Sequence, residues 1–147
     1  MTRKATSFLR AAAATGAIAE SVVLDSAERH LRRKLIAPQG GAPVLVDFPM
    51  AVRLEHGDCL VLDTGGLVRI VAAEEKLTEV RANDATHLAT LAWHIGNRHL
   101  EAQIEPGRIL IRHDHVIAGM LEQLGARVAD VREKFSPQHG AYRSHVH

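Results

Sequence analysis

The chain is 147 residues long, carries a formal net charge of +1, and is 46% hydrophobic and 24% charged. This balance lies far from the composition of disordered chains and allows one ordinary domain or two small ones. It gives no charge excess that would draw nucleic acid or an anionic membrane. A single cysteine excludes an internal disulfide and any cysteine-rich zinc knuckle, so metal ligation would rest on nitrogen and oxygen, and no run of about 18 apolar residues is present to span a bilayer.

The opening segment, MTRKATSFLRAAAATGAIAE, places basic residues before alanines and in this is faintly similar to a secretory or transit signal. Its apolar part is Ala-rich and interrupted by Thr15 and Gly16, so retention of the segment and a cytoplasmic location are expected. From Glu20 onward the runs SVVL, RRKLIA, PVLVDF, MAVRL, CLVL and LVRIVAA are separated by Gly40-Gly41, Gly57-Asp58 and Gly65-Gly66. Short Val/Leu-rich runs with glycines between them predict a small antiparallel all-β sandwich or barrel over residues 1–74. Cys59 falls in an apolar run and reads as a small core residue, while His30 and His56 read as surface positions.

The pattern changes at AAEEKLTEV, which puts a domain boundary near Glu74 and Glu75. LTEVRA reads as a strand. NDATHLATLAWHIGN follows as a helix, with Asn83 or Asp84 as N-cap, Leu88, Leu91, Ala92 and Ile95 along one stripe, and Gly96 as its end. LEAQIE alternates Leu100, Ala102 and Ile104 with polar residues, Pro106-Gly107 turns the chain, and RILIR returns as an antiparallel partner. Asp114 then caps a helix through Leu124 that faces Val116, Ile117, Met120, Leu121 and Leu124 inward and stops at Gly125. ARVADVREKF is the last strand.

The order β-α-β-β-α-β over residues 75–136 predicts a ferredoxin-like α+β domain, with both helices on one face of a four-stranded sheet and the other face free. RNA-binding domains of this shape stack bases on strand aromatics, which LEAQIE and RILIR lack. After Phe135 the segment SPQHGAYRSHVH has no periodic apolar pattern, and residues 137–147 read as a flexible tail containing histidine.

Seven of the ten histidines follow residue 93. Imidazole is the commonest metal ligand and titrates near neutral pH, so the cluster points to metal handling or proton chemistry. His87 reads as solvated and His94 as a helix-surface or packing residue. His99, at the turn into a strand, is a polar turn residue if alone. A two-fold dimer would set it beside its own copy and double the ligand set. His113 and His115 flank Asp114: in a strand they would point to the same side, and with Asp114 as a cap they would be exposed helix-start residues. His139, His145 and His147 form a short histidine-rich terminus of metal-binding composition.

No nucleophile-base-acid set, phosphate-cradling loop or HExxH motif is present, which disfavours a zinc hydrolase and favours metal exchange. The competing class is a non-catalytic protein-interaction module whose β domain binds peptides and whose histidines bind zinc or copper incidentally.

GNRHLEAQI followed by RHDHVIAGMLEQLG, with RLEHGDCLVLDTGGLVRIVAAEE upstream and GAY before the histidine-bearing tail, closely resembles the UreE family of urease accessory proteins from about residue 21 to the end. The resemblance implies a nickel metallochaperone that is not an enzyme and delivers Ni²⁺, with Zn²⁺ or Cu²⁺ as adventitious ions, to apo-urease. It implies a β domain followed by a ferredoxin-like metal-binding domain that joins a homodimer. It further implies that His99 meets its two-fold mate to form the principal site, that His145 and His147 supplement it, and that His113 and His115 are a secondary pair. The implied partners are the urease apoprotein and its maturation GTPase, UreG. Many members end in a long polyhistidine run, whereas this chain has three scattered tail histidines, which argues against high-capacity nickel storage and leaves one-site delivery intact.

Overall fold

The computed structural model describes residues 1–138 apart from Ala17, and leaves the side chain of Ala19 undescribed. The chain divides into two compact units, Met1–Ala73 and the part from Glu74 onward.

The first unit is one six-stranded sheet built from β1 (Arg3–Leu9), β2 (Ile18–Leu24), β3 (His30–Ile36), β4 (Val44–Arg53), β5 (Cys59–Leu62) and β6 (Leu67–Ala72), in the order β2-β6-β5-β1-β4-β3. It is all-β as expected, but not purely antiparallel: β1 runs parallel to β4 and β2 parallel to β6. Strand β1 lies inside the sheet with Ala5 fully buried, although its RKATSFL sequence carries too few bulky apolar residues to read as a strand.

PVLVDF and MAVRL, which read as two runs, form the single strand β4. Pro49 has no N–H to give, and the pairing with β3 jumps there, from Arg33↔Asp47 to Leu31↔Val52, so the chain passes the proline as a bulge. Val46, Phe48, Leu60, Val68 and Ile70 supply much of the core. Cys59 is fully buried, and burial pushes its thiol pKa up. Asp58, also buried, accepts from the Arg10 guanidinium and from the N–H groups of Ala11 and Glu55, which fixes the turn before β5.

The second unit contains β7 (Glu74–Arg81), α1 (Ala85–Asn97), β8 (Gln103–Glu105), β9 (Arg108–Arg112), α2 (His115–Gln123) and β10 (Arg127–Lys134). Its sheet has the order β10-β7-β9-β8 with every pairing antiparallel. Val80, Ile109 and Ile111 point to one face and form a single cluster with Leu91 and Ile95 of α1 and Ile117 and Leu121 of α2. Because strand side chains alternate, Leu77 and Leu110 point to the other face. That face is not free: the fully buried Phe135 packs on Leu77 and Leu110.

Beyond Phe135 the Ser136 N–H donates to Gln103 Oε1 at 2.8 Å, Pro137 is buried, and the Gln138 N–H donates to the Ala102 carbonyl at 2.7 Å. The end of the folded chain therefore crosses from β10 to the opposite edge at β8, and the packed part runs past residue 136. Two apolar expectations differ from the structure. Val116 is 80% exposed in the first turn of α2, and Ile104 is 42% exposed on β8, which is only three residues long and lies at the sheet edge. Among the described residues no helix is long and apolar enough to cross a membrane.

Candidate metal centre

Helix α1 does not stop at Gly96. Asp84 caps its start by accepting from the His87 N–H, and the helix runs to Asn97 with Arg98 as C-cap. The closing turn is a Schellman motif: the His99 N–H donates to the Gly96 carbonyl at 3.0 Å and the Leu100 N–H to the Ile95 carbonyl at 3.4 Å. The motif needs a left-handed residue just after the cap, and His99 occupies it with φ 59, the one positive φ at a non-glycine among the described residues. A side chain there costs about 1–2 kcal/mol relative to ordinary backbone, although histidine tolerates the conformation better than most residues. Leu100 tucks into the helix-facing core, which holds the turn down, and the His99 ring is left exposed on a backbone fixed from both sides.

The HDH segment resolves into one of its two readings with an addition. Asp114 is the N-cap of α2 and accepts from the N–H groups of Val116 and Ile117 at 2.9 and 3.0 Å. His113, just past β9, is half-buried, while His115 opens the helix and is exposed. Their rings nevertheless meet edge to face, with centroids 4.6 Å apart. His113 Nε2 also lies 3.6 Å from Asp130 Oδ1 of β10. Sequence distance hides Asp130, and only the pairing of β10 with β7 brings it alongside. A hollow of about 120 Å³ is lined by Leu100, Glu101, Ile111, Arg112, His113 and Asp114, so the turn that carries His99 and the turn that carries His113 border the same depression.

His87 is not solvated. Its Nδ1 accepts from the Asn83 N–H at 3.0 Å, and its Nε2 lies 2.8 Å from the Leu124 carbonyl, so the ring ties the start of α1 to the end of α2 as the Nε2–H tautomer. His94 is half-buried against the edge of Trp93, at 5.1 Å between centroids. His30 and His56 are exposed, as expected, and His56 Nδ1 accepts from the Ala72 N–H. The tail candidates His139, His145 and His147 lie outside the described residues. Among the described residues no three His, Cys, Asp or Glu side chains converge as a metal cage.

On the face crossed by the chain end, Arg108 gathers three carboxylates. It donates to Glu105 at 2.9 Å, to Glu79 at 2.8 Å, and to both oxygens of Glu133 at 2.9 and 2.8 Å. Those hydrogen bonds hold Glu79 and Glu133 below the usual carboxylate range and raise Arg108, so these three groups are charged at neutral pH. Gln103 reaches into this cluster by donating to Glu105, which orients its amide oxygen toward Ser136.

The model of the UreE urease accessory protein C-terminal domain matches residues 75–147, and that of the UreE N-terminal domain matches residues 5–73. Among curated proteins, the urease accessory protein UreE of Brucella anthropi is 56% identical over 140 residues, covering 95% of this chain and 82% of its own length. The UreE protein of Agrobacterium fabrum is 55% identical over 124 residues, covering 84% of this chain and 77% of its own length. That of Rhizobium leguminosarum bv. trifolii is 50% identical over 143 residues, covering 97% and 74%. Two matching domain models in the right order and half-identical relatives along nearly the whole chain lead to one conclusion: this chain belongs to the UreE family of urease accessory proteins, and is an accessory protein rather than an enzyme.

Proposed function

We propose that the protein is a cytoplasmic homodimeric nickel carrier that binds Ni²⁺ through His99 of two protomers and hands it to apo-urease during urease maturation. The supporting observation is the backbone of His99. An exposed imidazole held by a Schellman motif in a conformation that favours glycine serves no packing purpose, so its chemistry is the reason for its place. One imidazole binds a divalent ion weakly, and a two-fold axis through this turn would supply a second at once.

His145 and His147 add donors from the tail, while His113 and His115, already in ring contact, form a secondary pair. The β-α-β-β-α-β order and the β10-β7-β9-β8 sheet support a ferredoxin-like reading of the metal-binding and dimerisation domain, with the first unit as a partner-binding domain. The partners are the urease apoprotein and the maturation GTPase UreG; neither nucleic acid nor membrane is involved. Imidazole sites bind Cu²⁺ more tightly than Ni²⁺ and also take Zn²⁺, so selectivity comes from metal supply and partner docking.

Calorimetric nickel titration of the full chain and of His99→Ala, with mass measured by light scattering, tests this reading. The expected outcome is one tight site per dimer, weakened at least 100-fold by His99→Ala with the dimer retained. Only neutral imidazole binds a metal, so affinity should also drop steeply below about pH 6. Unchanged affinity in the variant, or equal affinity at pH 5 and pH 7.5, would overturn histidine carriage and leave the interaction-module reading.

A further inference from the structure

Between the His99 turn and β8, residues 100–102 belong to no helix or strand, since β8 begins at Gln103. Leu100 enters the core, and Glu101 accepts from the Arg112 guanidinium at 2.7 Å. Arg112 is the last residue of β9, and its guanidinium lies 5.2 Å from the centroid of the fully buried Phe135 ring. A planar guanidinium can stack on an aromatic face and bond a carboxylate at the same time, which an ammonium cannot do as well. Glu101 follows His99 by two residues and Arg112 precedes His113 by one, so the ion pair joins the two histidine-bearing turns beside the hollow that both border.

We propose that Glu101 and Arg112 are positioning residues for His99: their ion pair braces the turn that presents the imidazole against the end of β9. Both partners are partly exposed, and such pairs shift a folding equilibrium by less than about fivefold, so the contribution is one of geometry more than of stability. The pair also cancels its own charge. The Cα atoms of His99 and Glu101 are at most about 7 Å apart, so without Glu101 the Arg112 charge would repel a divalent cation approaching His99 at short range. Bracing and charge make opposite demands on Arg112. Its removal frees the turn, which weakens metal binding, but also removes a positive charge, which strengthens it.

This positioning role rests on the nickel reading above, and two measurements on the full chain separate them. The variants are Glu101→Gln, Arg112→Gln and the two together. The first measurement is amide hydrogen exchange of the metal-free protein. The His99 and Leu100 N–H groups, which close the turn on Gly96 and Ile95, should exchange about three- to fivefold faster in every variant, while those of Gly125 and Ala126 at the end of α2 keep their wild-type rates. The second is calorimetric nickel titration. Affinity should fall about tenfold in Glu101→Gln, about fivefold in the double variant and about two- to threefold in Arg112→Gln, so the double variant loses less than the product of the single losses. Wild-type exchange at His99 and Leu100 would overturn the brace, and so would equal acceleration at both helix ends. Nickel binding in Arg112→Gln as tight as wild type or tighter would show an effect of charge alone and overturn it, as would losses that simply multiply in the double variant. The carrier reading is decided separately by His99→Ala: wild-type nickel affinity there removes that reading, and the positioning role with it, whatever the exchange rates.

Discussion

Helices α1 and α2 end in the same backbone device built from different residues. In α2 the Gly125 N–H bonds the Glu122 carbonyl and the Ala126 N–H bonds the Leu121 carbonyl, with Gly125 left-handed at φ 89. In α1 the equivalent left-handed residue is His99. Glycine takes that conformation freely; histidine does so at a cost. The α2 end is also pinned from outside by the His87 ring on the Leu124 carbonyl, and a Cβ at position 125 would stand 3.5 Å from His87 Nε2. The end of α2 is thus arranged for stability, and the end of α1 for the display of a ring. One motif serves packing in one place and leaves an exposed imidazole in the other.

Substitutions at the two helix ends test this division of roles. The largest expected effect is on metal affinity: His99→Gly, which keeps and even eases the turn, should lose at least 100-fold in nickel affinity by calorimetry. Retained affinity would mean that the α1 end is merely structural. The next largest is on stability at the other helix. Gly125→Ala should lower unfolding free energy by about 1 kcal/mol in urea, since left-handed strain of about 1–2 kcal/mol is partly offset by the lower entropy of the unfolded alanine chain. Its nickel affinity should stay at the wild-type value. His87→Phe, which removes both backbone bonds of the ring, should cost a similar or slightly smaller amount, about 1 kcal/mol, again without effect on nickel. The smallest effect is the stability of His99→Gly itself, expected to rise by about 0.5 kcal/mol; a fall would show that the His99 side chain contributes packing after all.

The same contrast explains what could be read in the sequence. Gly125 was legible as a helix stop because glycine is the usual left-handed residue. For α1 the same rule pointed to Gly96, three residues early, because nothing local reveals that a histidine will accept a positive φ when Leu100 has a core to enter. Asp84 and Asp114 were legible as caps because their carboxylates serve neighbours two or three residues away. The packing of Phe135 and the hydrogen bond of Gln138 were not legible, since their partners lie on or just before strands brought together by tertiary structure. His87 also looked solvated, for one of its two partners is 37 residues away. Of the candidate site, the residue types and the position of His99 were visible in sequence. The backbone that holds it, the ring contact of His113 with His115 and the approach of Asp130 depend on strand register, which no local pattern encodes.

Trp93 is the chain's sole tryptophan and stands 63% exposed on α1, six residues before His99. Intrinsic fluorescence excited at the indole band therefore reports on a single fluorophore mounted on the helix that ends at the His99 turn. Covering that helix with a second copy or a client protein would transfer the indole from water to an apolar surround and shift its emission to the blue, giving assembly a label-free optical signal.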